Sequence, residues 1–253
     1  MWFDSHCHLH ICEEGRAVND VIDEARTAGV TRMVTVGIDP GSNVRSIALA
    51  DGETVFAAVG IHPNSSTGWS EASEQALEAQ ASSDGVVAVG ETGLDFYRDY
   101  CPADDQHRSF RSHIALAKRL DKAMIIHTRD SIEQALDVLD EVGPPDRFVF
   151  HCWSGDPVHL ERALGQGAYV SFAGNVSFSS ADDLRAAVPS VPEDRLLVET
   201  DSPYLTPVPH RGKPNAPANV VHVGAAVAGV LGIEPEQVAA FTYHNASRLF
   251  GVG

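Results

Sequence analysis

Short apolar runs alternate with longer amphipathic stretches along the chain, and most of the runs end on a polar residue. The runs predict strands over Trp2 to Ser5, Arg32 to Val36, Val55 to Val59, Val86 to Gly90, Met124 to Ile126, Phe148 to Phe150, Ala168 to Phe172 and Leu196 to Val198. Between them the spacing predicts helices over Val18 to Ala28, Val44 to Ala50, Glu71 to Ala81, Asp104 to Leu120, Ser131 to Leu139, Pro157 to Leu164 and Ala181 to Val188. Two more, Pro217 to Leu231 and Pro235 to Phe250, follow the last strand. Strict alternation makes each helix a crossover and forces parallel pairing. Eight such units in 253 residues predict a (β/α)8 TIM barrel, whose usual length is about 250 residues. A doubly wound open sheet is the alternative. No linker, composition shift or low-complexity tract divides the chain, so one domain over residues 1–253 is expected.

Barrels of this kind gather their reactive residues at the C-terminal ends of the strands. The sequence puts His6 and His8 after strand one, Glu91 after strand four, His127 after five, His151 after six and Asp201 after eight. His6 and His8 lie two apart, so strand alternation aims both at one face. Six nitrogen and oxygen donors exceed what one catalytic ion needs and fit two ions that share a carboxylate. His6, His8, Glu91 and Asp201 are expected around one ion, and Glu91, His127 and His151 around the other. Such a mixed donor set accepts Mg, Mn, Zn or Co. Glu91 is the natural bridge, and Asp201 can both ligate an ion and take a proton from water, which makes it the candidate general base.

Around these lie candidate substrate contacts. His62 ends strand three, Arg129 follows His127 by two residues, and Arg211 and Lys213 sit in the loop after strand eight; each can hold a phosphate. Tyr204 and Trp153 are candidates for base stacking or for packing, and Glu199 for orienting a ligand from behind. His107, His113, His159, His222 and His244 fall in helical patterns and read as surface or packing residues, while His210 is open.

Charge narrows the picture. Thirty-five acidic residues against 18 basic ones give a formal net charge of −17, and the lysines are Lys118, Lys122 and Lys213 alone. That is not the basic footprint of a protein held on nucleic acid by its surface field. It is the balance expected of a halophilic surface, because molar salt shortens the Debye length to about 3 Å and suppresses self-repulsion. Cys7, Cys12, Cys101 and Cys152 show no Cys-x-x-Cys spacing and read as reduced thiols. No apolar stretch is long enough to span a bilayer, and the acidic, histidine-bearing start does not resemble a signal peptide, so a cytoplasmic protein without membrane or obligate protein partners is expected.

Several stretches also carry a resemblance. They are Asp4-Ser5-His6-Cys7-His8-Leu9, Gly60-Ile61-His62-Pro63, Gly90-Glu91-Thr92-Gly93-Leu94-Asp95-Phe96-Tyr97, His127-Thr128-Arg129-Asp130 and His151-Cys152-Trp153-Ser154-Gly155. Others are Glu199-Thr200-Asp201-Ser202-Pro203-Tyr204-Leu205, Pro209-His210-Arg211-Gly212-Lys213 and Asn245-Ala246. In these the chain resembles the TatD family of metal-dependent deoxyribonucleases from end to end. The resemblance implies hydrolysis of DNA phosphodiesters, exonucleolytic on single-stranded ends, by a water activated between two divalent ions, and its ligand positions fall on the six residues above. His10 departs from it, since the family usually has Asp there. Alternatives on the same barrel are hydrolysis of a small amide, lactone, ester or phosphoester, including an aminoacyl ester, or a metal-bound interaction protein without catalysis. Glu91, where many small-molecule hydrolases carry a carboxylated lysine, favours the nuclease; the acidic charge opposes it, because phosphate affinity is largely electrostatic.

If the acidic surface is a salt adaptation, the melting temperature should rise steadily from dilute buffer to molar KCl. Equal melting temperatures at the two ends would exclude it.

Overall fold

A computed structural model describes residues 1–12 and 16–253. Its strands are β1 (Trp2–Cys7), β2 (Val30–Val36), β3 (Val55–Val59), β4 (Val86–Asp95), β5 (Ala123–Arg129), β6 (Phe148–Phe150), β7 (Tyr169–Phe172) and β8 (Leu196–Val198). They pair in parallel in sequence order within one eight-stranded sheet. The helices are α1 (Leu9–Cys12), α2 (Val18–Thr27), α3 (Pro40–Leu49), α4 (Glu71–Ala81), α5 (Ala103–Leu120), α6 (Ile132–Val142), α7 (Pro157–Gly165), α8 (Asp182–Ala187), α9 (Val220–Leu231) and α10 (Pro235–Phe250). No single helix among the described residues is long and apolar enough to cross a membrane.

The sheet curls until its ends meet, which rules out the open doubly wound alternative. Just beyond β8, the Asp201 N–H donates to the His6 carbonyl at 2.9 Å and the His8 N–H to the Ser202 carbonyl at 2.8 Å. Beneath this seam the buried Asp4 carboxyl accepts the Thr200 N–H at 2.8 Å and binds its hydroxyl at 2.6 Å. Burial pushes the Asp4 carboxyl up to about 8, in spite of these bonds.

Side-chain direction inside the barrel follows the period of two only in part. Phe3, Val34, Phe56, Ala88, Ile125, Val149 and Leu197 face the axis, whereas Trp2, Met33, Val89, Met124, Phe150 and Val198 face the helices. Continued without a break, that alternation would turn Cys7 and Leu94 inward, yet both pack in the outer layer. The reason is a register shift in each strand, between Asp4 and Cys7 in β1 and between Val89 and Thr92 in β4. One extra residue reverses the phase of everything above it. His6 and His8, and likewise Glu91, Gly93 and Asp95, therefore look toward the axis.

The lower barrel is filled. Phe3 packs with Phe56 and Phe250, ring centroids 6.4 and 5.9 Å apart, and α10 delivers Ala246, Leu249 and Phe250 against the same cluster. Arg32 fastens that end by donating to the carbonyls of Val252 and Gly253 at 3.0 and 2.7 Å.

Most predicted spans match, with instructive exceptions. α3 begins at Pro40 rather than Val44, because Asp39 and Ser42 form a capping box with proline in the first turn. β1 and β5 run on to Cys7 and Arg129, and β4 runs on to Asp95 rather than stopping at Gly90, so that Glu91 lies within the strand and not after it. The pairing of Gly93 with His127 and Asp95 with Arg129 holds it in the sheet.

Phe250→Ala should lower the free energy of unfolding by about 3–5 kcal/mol, read from urea denaturation. An unchanged midpoint would mean that α10 does not support the barrel interior.

Candidate metal centre

Above the filled layer the axis turns polar. Ser5 and Ser171 pair at 3.1 Å, and over them stand His6, His8, Glu91, His127, His151 and Asp201, the six residues that the rim pattern predicts as ligands. Glu91 lies at the centre, 3% exposed. Its Oε2 is 3.5 Å from His6 Nε2 and 3.7 Å from His8 Nε2. Its Oε1 is 2.8 Å from His127 Nδ1 and 2.9 Å from His151 Nε2. Asp201 Oδ1 closes the first set at 3.7 Å from His6 Nε2 and 3.4 Å from His8 Nε2. One carboxylate thus turns each oxygen to a different pair of imidazoles.

Sequence explains the crowding. Gly93, at φ +143°, has no room for a side chain, because a Cβ would run into the His127 carbonyl oxygen. β4 and β5 can therefore approach closely beside Glu91 and His127. Asp201 occupies the left-handed region at φ 53°, which Asp tolerates better than most residues. Asp130 and Cys152, each just past a rim strand, do the same at φ 53° and 45°. Strain of this kind collects at functional sites.

The donor chemistry fits a cation. His8 Nδ1 donates to the Val36 carbonyl at 2.8 Å, and His151 Nδ1 to Glu199 at 3.2 Å. In the neutral rings this fixes the tautomer and leaves a bare lone pair on Nε2. Those lone pairs face carboxylate oxygens and, for His8, the Nε2 of His6 at 3.2 Å. A lone pair against a carboxylate oxygen requires a positive charge between them, either a proton or a metal; His6 Nε2, whose tautomer no partner of Nδ1 fixes, can also donate to His8. Tetrahedral zinc at about 2.0–2.1 Å from nitrogen would space its ligands roughly 3.3 Å apart, close to the separations here. His6, His8 and Asp201 form one such group and Glu91, His127 and His151 another.

Without metal the proton takes that role. Burial works to lower His151, but Glu91 and Glu199 outweigh it and raise it well above its usual range. His8 is raised by Asp201 and Glu91, and His127 by Asp95 and Glu91, each against burial. Burial would raise Glu91, yet His151 and His127 hold it well below the usual range. Asp201 is likewise lowered, against burial, by His8 and His6.

The outer candidates are placed unevenly. His62 is pushed down to about 4 by burial beside His127. Its Nδ1 accepts the Asn64 N–H at 3.1 Å, which leaves Nε2 as a donor 3.7 Å from Glu91 Oε1. Arg129 and Arg211 stack over Tyr97 and Phe178 at 3.7 and 3.6 Å. Tyr204 is exposed, its ring 6.2 Å from that of His8. Lys213 lines a cavity of about 580 Å³ beside α2 and α9 together with Arg16, His210 and His222, apart from the ligand cluster. Trp153 is buried edge-on against Phe150 and is a packing residue, not a base-stacking one. His10 is buried, with Nδ1 unpartnered and burial holding it near 4. Asp95 was not among the candidates. It is buried, its Oδ2 3.4 Å from His127 Nε2, and its place four residues after Glu91 on a strand is the signal that marks it.

A family model described as TatD related DNase matches residues 3–251. The chain is 40% identical over 258 residues to a Mycobacterium tuberculosis protein named uncharacterized metal-dependent hydrolase TatD, covering 99% of this chain and 98% of that one. It is 33% identical over 257 residues to a Salmonella typhimurium protein named 3'-5' ssDNA/RNA exonuclease TatD, covering 99% of each. The crystal structure of YJJV, a TatD homolog from Escherichia coli K12, superposes with a TM-score of 0.91 at 27% identity, over 100% of this chain and 98% of that one.

The raised histidines stabilise the metal-free fold below their unfolded value of 6.5 and lose that contribution as pH rises through their folded values. Glu91, being depressed, contributes above its unfolded 4.5. Below 6.5 this gain is opposed by His10 and His62, which burial holds near 4, so the expected signature lies on the alkaline side: in chelator the melting temperature should fall from about pH 6.5 toward pH 9. Divalent ions should restore it most at the alkaline end, where protons no longer compete. Thermal melts across that range check this, and Glu91→Gln should flatten the slope.

Proposed function

This chain belongs to the TatD related DNase family, a family of metal-dependent hydrolases, and from that premise we propose that it cleaves phosphodiester bonds in single-stranded DNA, exonucleolytically, with two divalent ions. The observation that carries the reading is the divided Glu91 carboxylate, with Oε2 toward His6 and His8 and Oε1 toward His127 and His151. The relative named as a 3'-5' ssDNA/RNA exonuclease supports the substrate class and suggests attack from the 3′ end.

His6, His8, Glu91 and Asp201 would hold one ion, and Glu91, His127 and His151 the other; Zn, Mn, Mg or Co suit these donors. Divalent ions so held lower the pKa of a water and polarise a phosphoryl oxygen. Asp201, ionised at neutral pH, accepts the proton of the attacking water. His62, neutral with its Nε2–H turned to the centre, donates to a phosphoryl or leaving oxygen. Arg129 and Arg211 grip flanking phosphates as planar forks, and Lys213 meets one further out as a point charge. Tyr204, beside His8, offers a ring to the terminal base. Glu199 and Asp95 orient His151 and His127 from behind.

One feature favours a second reading, hydrolysis of a small ester, lactone or amide: the net charge of −17 gives a polyanion no long-range attraction.

Metal-loaded protein should shorten end-labelled single-stranded DNA faster than duplex and should hydrolyse a base-free diester. Glu91→Ala should lose both activities by more than the roughly 10–100-fold typical of deleting a residue behind a ligand, and its ion content should fall from two per chain to one or none. Turnover of an ester but of no phosphodiester would move the chain to the second reading.

A further inference from the structure

The exposed aromatic side chains among the described residues are Phe96, Tyr97, Tyr100 and Tyr204, and all four lie in loops at the reactive rim. Three of them share the loop between β4 and α5. Tyr97 is 56% and Tyr100 65% exposed, an unusual placement for large rings unless something covers them. Arginine lies between them. Arg98 is 5.4 Å from the Tyr97 centroid and 5.6 Å from that of Tyr100, and Arg129 lies over Tyr97 at 3.7 Å.

These arginines also differ in charge environment. On the helical flanks Arg111, Arg119 and Arg162 are held by carboxylates at 2.5 to 3.0 Å. Among the described residues no carboxylate lies within ion-pair distance of Arg98 or Arg129. In a chain of net charge −17, two guanidinium groups stacked on exposed rings stand apart from the ion-paired arginines of the helices, with Asp99 and Asp130 as their chain neighbours.

The loop is fixed to the candidate metal centre by one residue. Asp95 Oδ1 accepts the N–H groups of Tyr97 and Arg98 at 3.1 and 3.3 Å, while its Oδ2 faces His127 at 3.4 Å. The Phe96 N–H donates to the Arg129 carbonyl at 2.9 Å, which continues the β4–β5 pairing into the loop. The backbone at Phe96, Tyr97 and Arg98 is therefore tied to β5 and, through Asp95, to His127.

We propose that Tyr97, Arg98, Tyr100 and Arg129 form a stacking platform for the unpaired bases of a single-stranded nucleic acid, next to the metal centre. The proposal rests on the nucleolytic reading above and adds how the strand is chosen. Every base offers a π face to an exposed ring, and its phosphates meet the guanidinium groups of Arg129 and of Arg98, which also donates to the Tyr100 hydroxyl at 3.2 Å. A duplex has no unstacked bases to offer and gains only the charge contacts. A second copy of the chain would bring the same acidic charge to the rings, which disfavours a self-association surface.

The test is binding of a short labelled phosphorothioate oligodeoxythymidylate, which resists cleavage, to the metal-loaded protein by fluorescence anisotropy. Hydrolysis of methyl p-nitrophenyl phosphate, which has no base, is followed in the same preparations. The double substitution Tyr97→Ala/Tyr100→Ala should raise the Kd by on the order of tenfold or more, and Tyr97→Phe/Tyr100→Phe should restore it. Equal Kd values for the alanine variant and the unsubstituted chain would overturn the platform. Diester hydrolysis with no strand binding would also overturn it, while leaving the two-ion reading intact; absence of both would remove the two together. A dimer in sedimentation that the alanine variant dissolves, without strand binding, would assign the rings to a protein interface instead.

Discussion

Two inserted residues decide what faces the barrel axis. A strand with perfect alternation cannot put Phe3 in the lower interior and His6 above it, nor Ala88 below and Glu91 above, because each pair differs by an odd number. The register shifts in β1 and β4 let one strand serve two layers, apolar below and ligating above. β5 and β6 need no such device, since Ile125 and His127, or Val149 and His151, already share a parity. The polar layer is thus superposed on an ordinary packed core, and the seam between β1 and β8 brings His6, His8 and Asp201 to one side of it.

Above that layer the electrostatics are organised by fixed hydrogen bonds. Val36 and Glu199 settle which nitrogens of His8 and His151 carry hydrogen, so the remaining lone pairs converge on Glu91 and Asp201. Buried His6 Nδ1 and Glu199 Oε2 have no hydrogen-bond partner within the protein, and His127 Nε2 has only the Asp95 carboxylate at 3.4 Å; unsatisfied groups of this kind are costly in a low-dielectric interior. The surrounding barrel holds the cluster together, and its donor set suits a cation.

The fold class was legible, and so was the convergence of the six rim side chains, because both depend on sequence order alone. Eight runs alternating with helices leave few topologies, and a polar residue at the end of a buried run stands out. Strand ends were less legible where the signal was ambiguous: Gly90 to Asp95 mixes glycine, threonine and carboxylates, and only pairing with β5 shows it to be strand. Asp39 shows the reverse case, a cap whose Asp-Pro-x-x pattern lay in the sequence but was outweighed by hydrophobic spacing. Asp95 was hidden for a related reason, since the period of two applies there only once β4 is known to continue. The exposure of Tyr97 and Tyr100 is a tertiary property, and Trp153, with the same aromatic character, is buried. No local pattern separates them.

The plug formed by Leu249 and Phe250 has a kinetic meaning. With Phe3, Phe56, Leu249 and Phe250 filling the lower barrel, whatever reaches the polar layer arrives from the strand-end rim. A ligand lying across the rim would therefore cover the approach to the imidazoles. Ion exchange and ligand residence would then be coupled: under the two-ion reading, the occupied protein should resist chelation longer than the idle one.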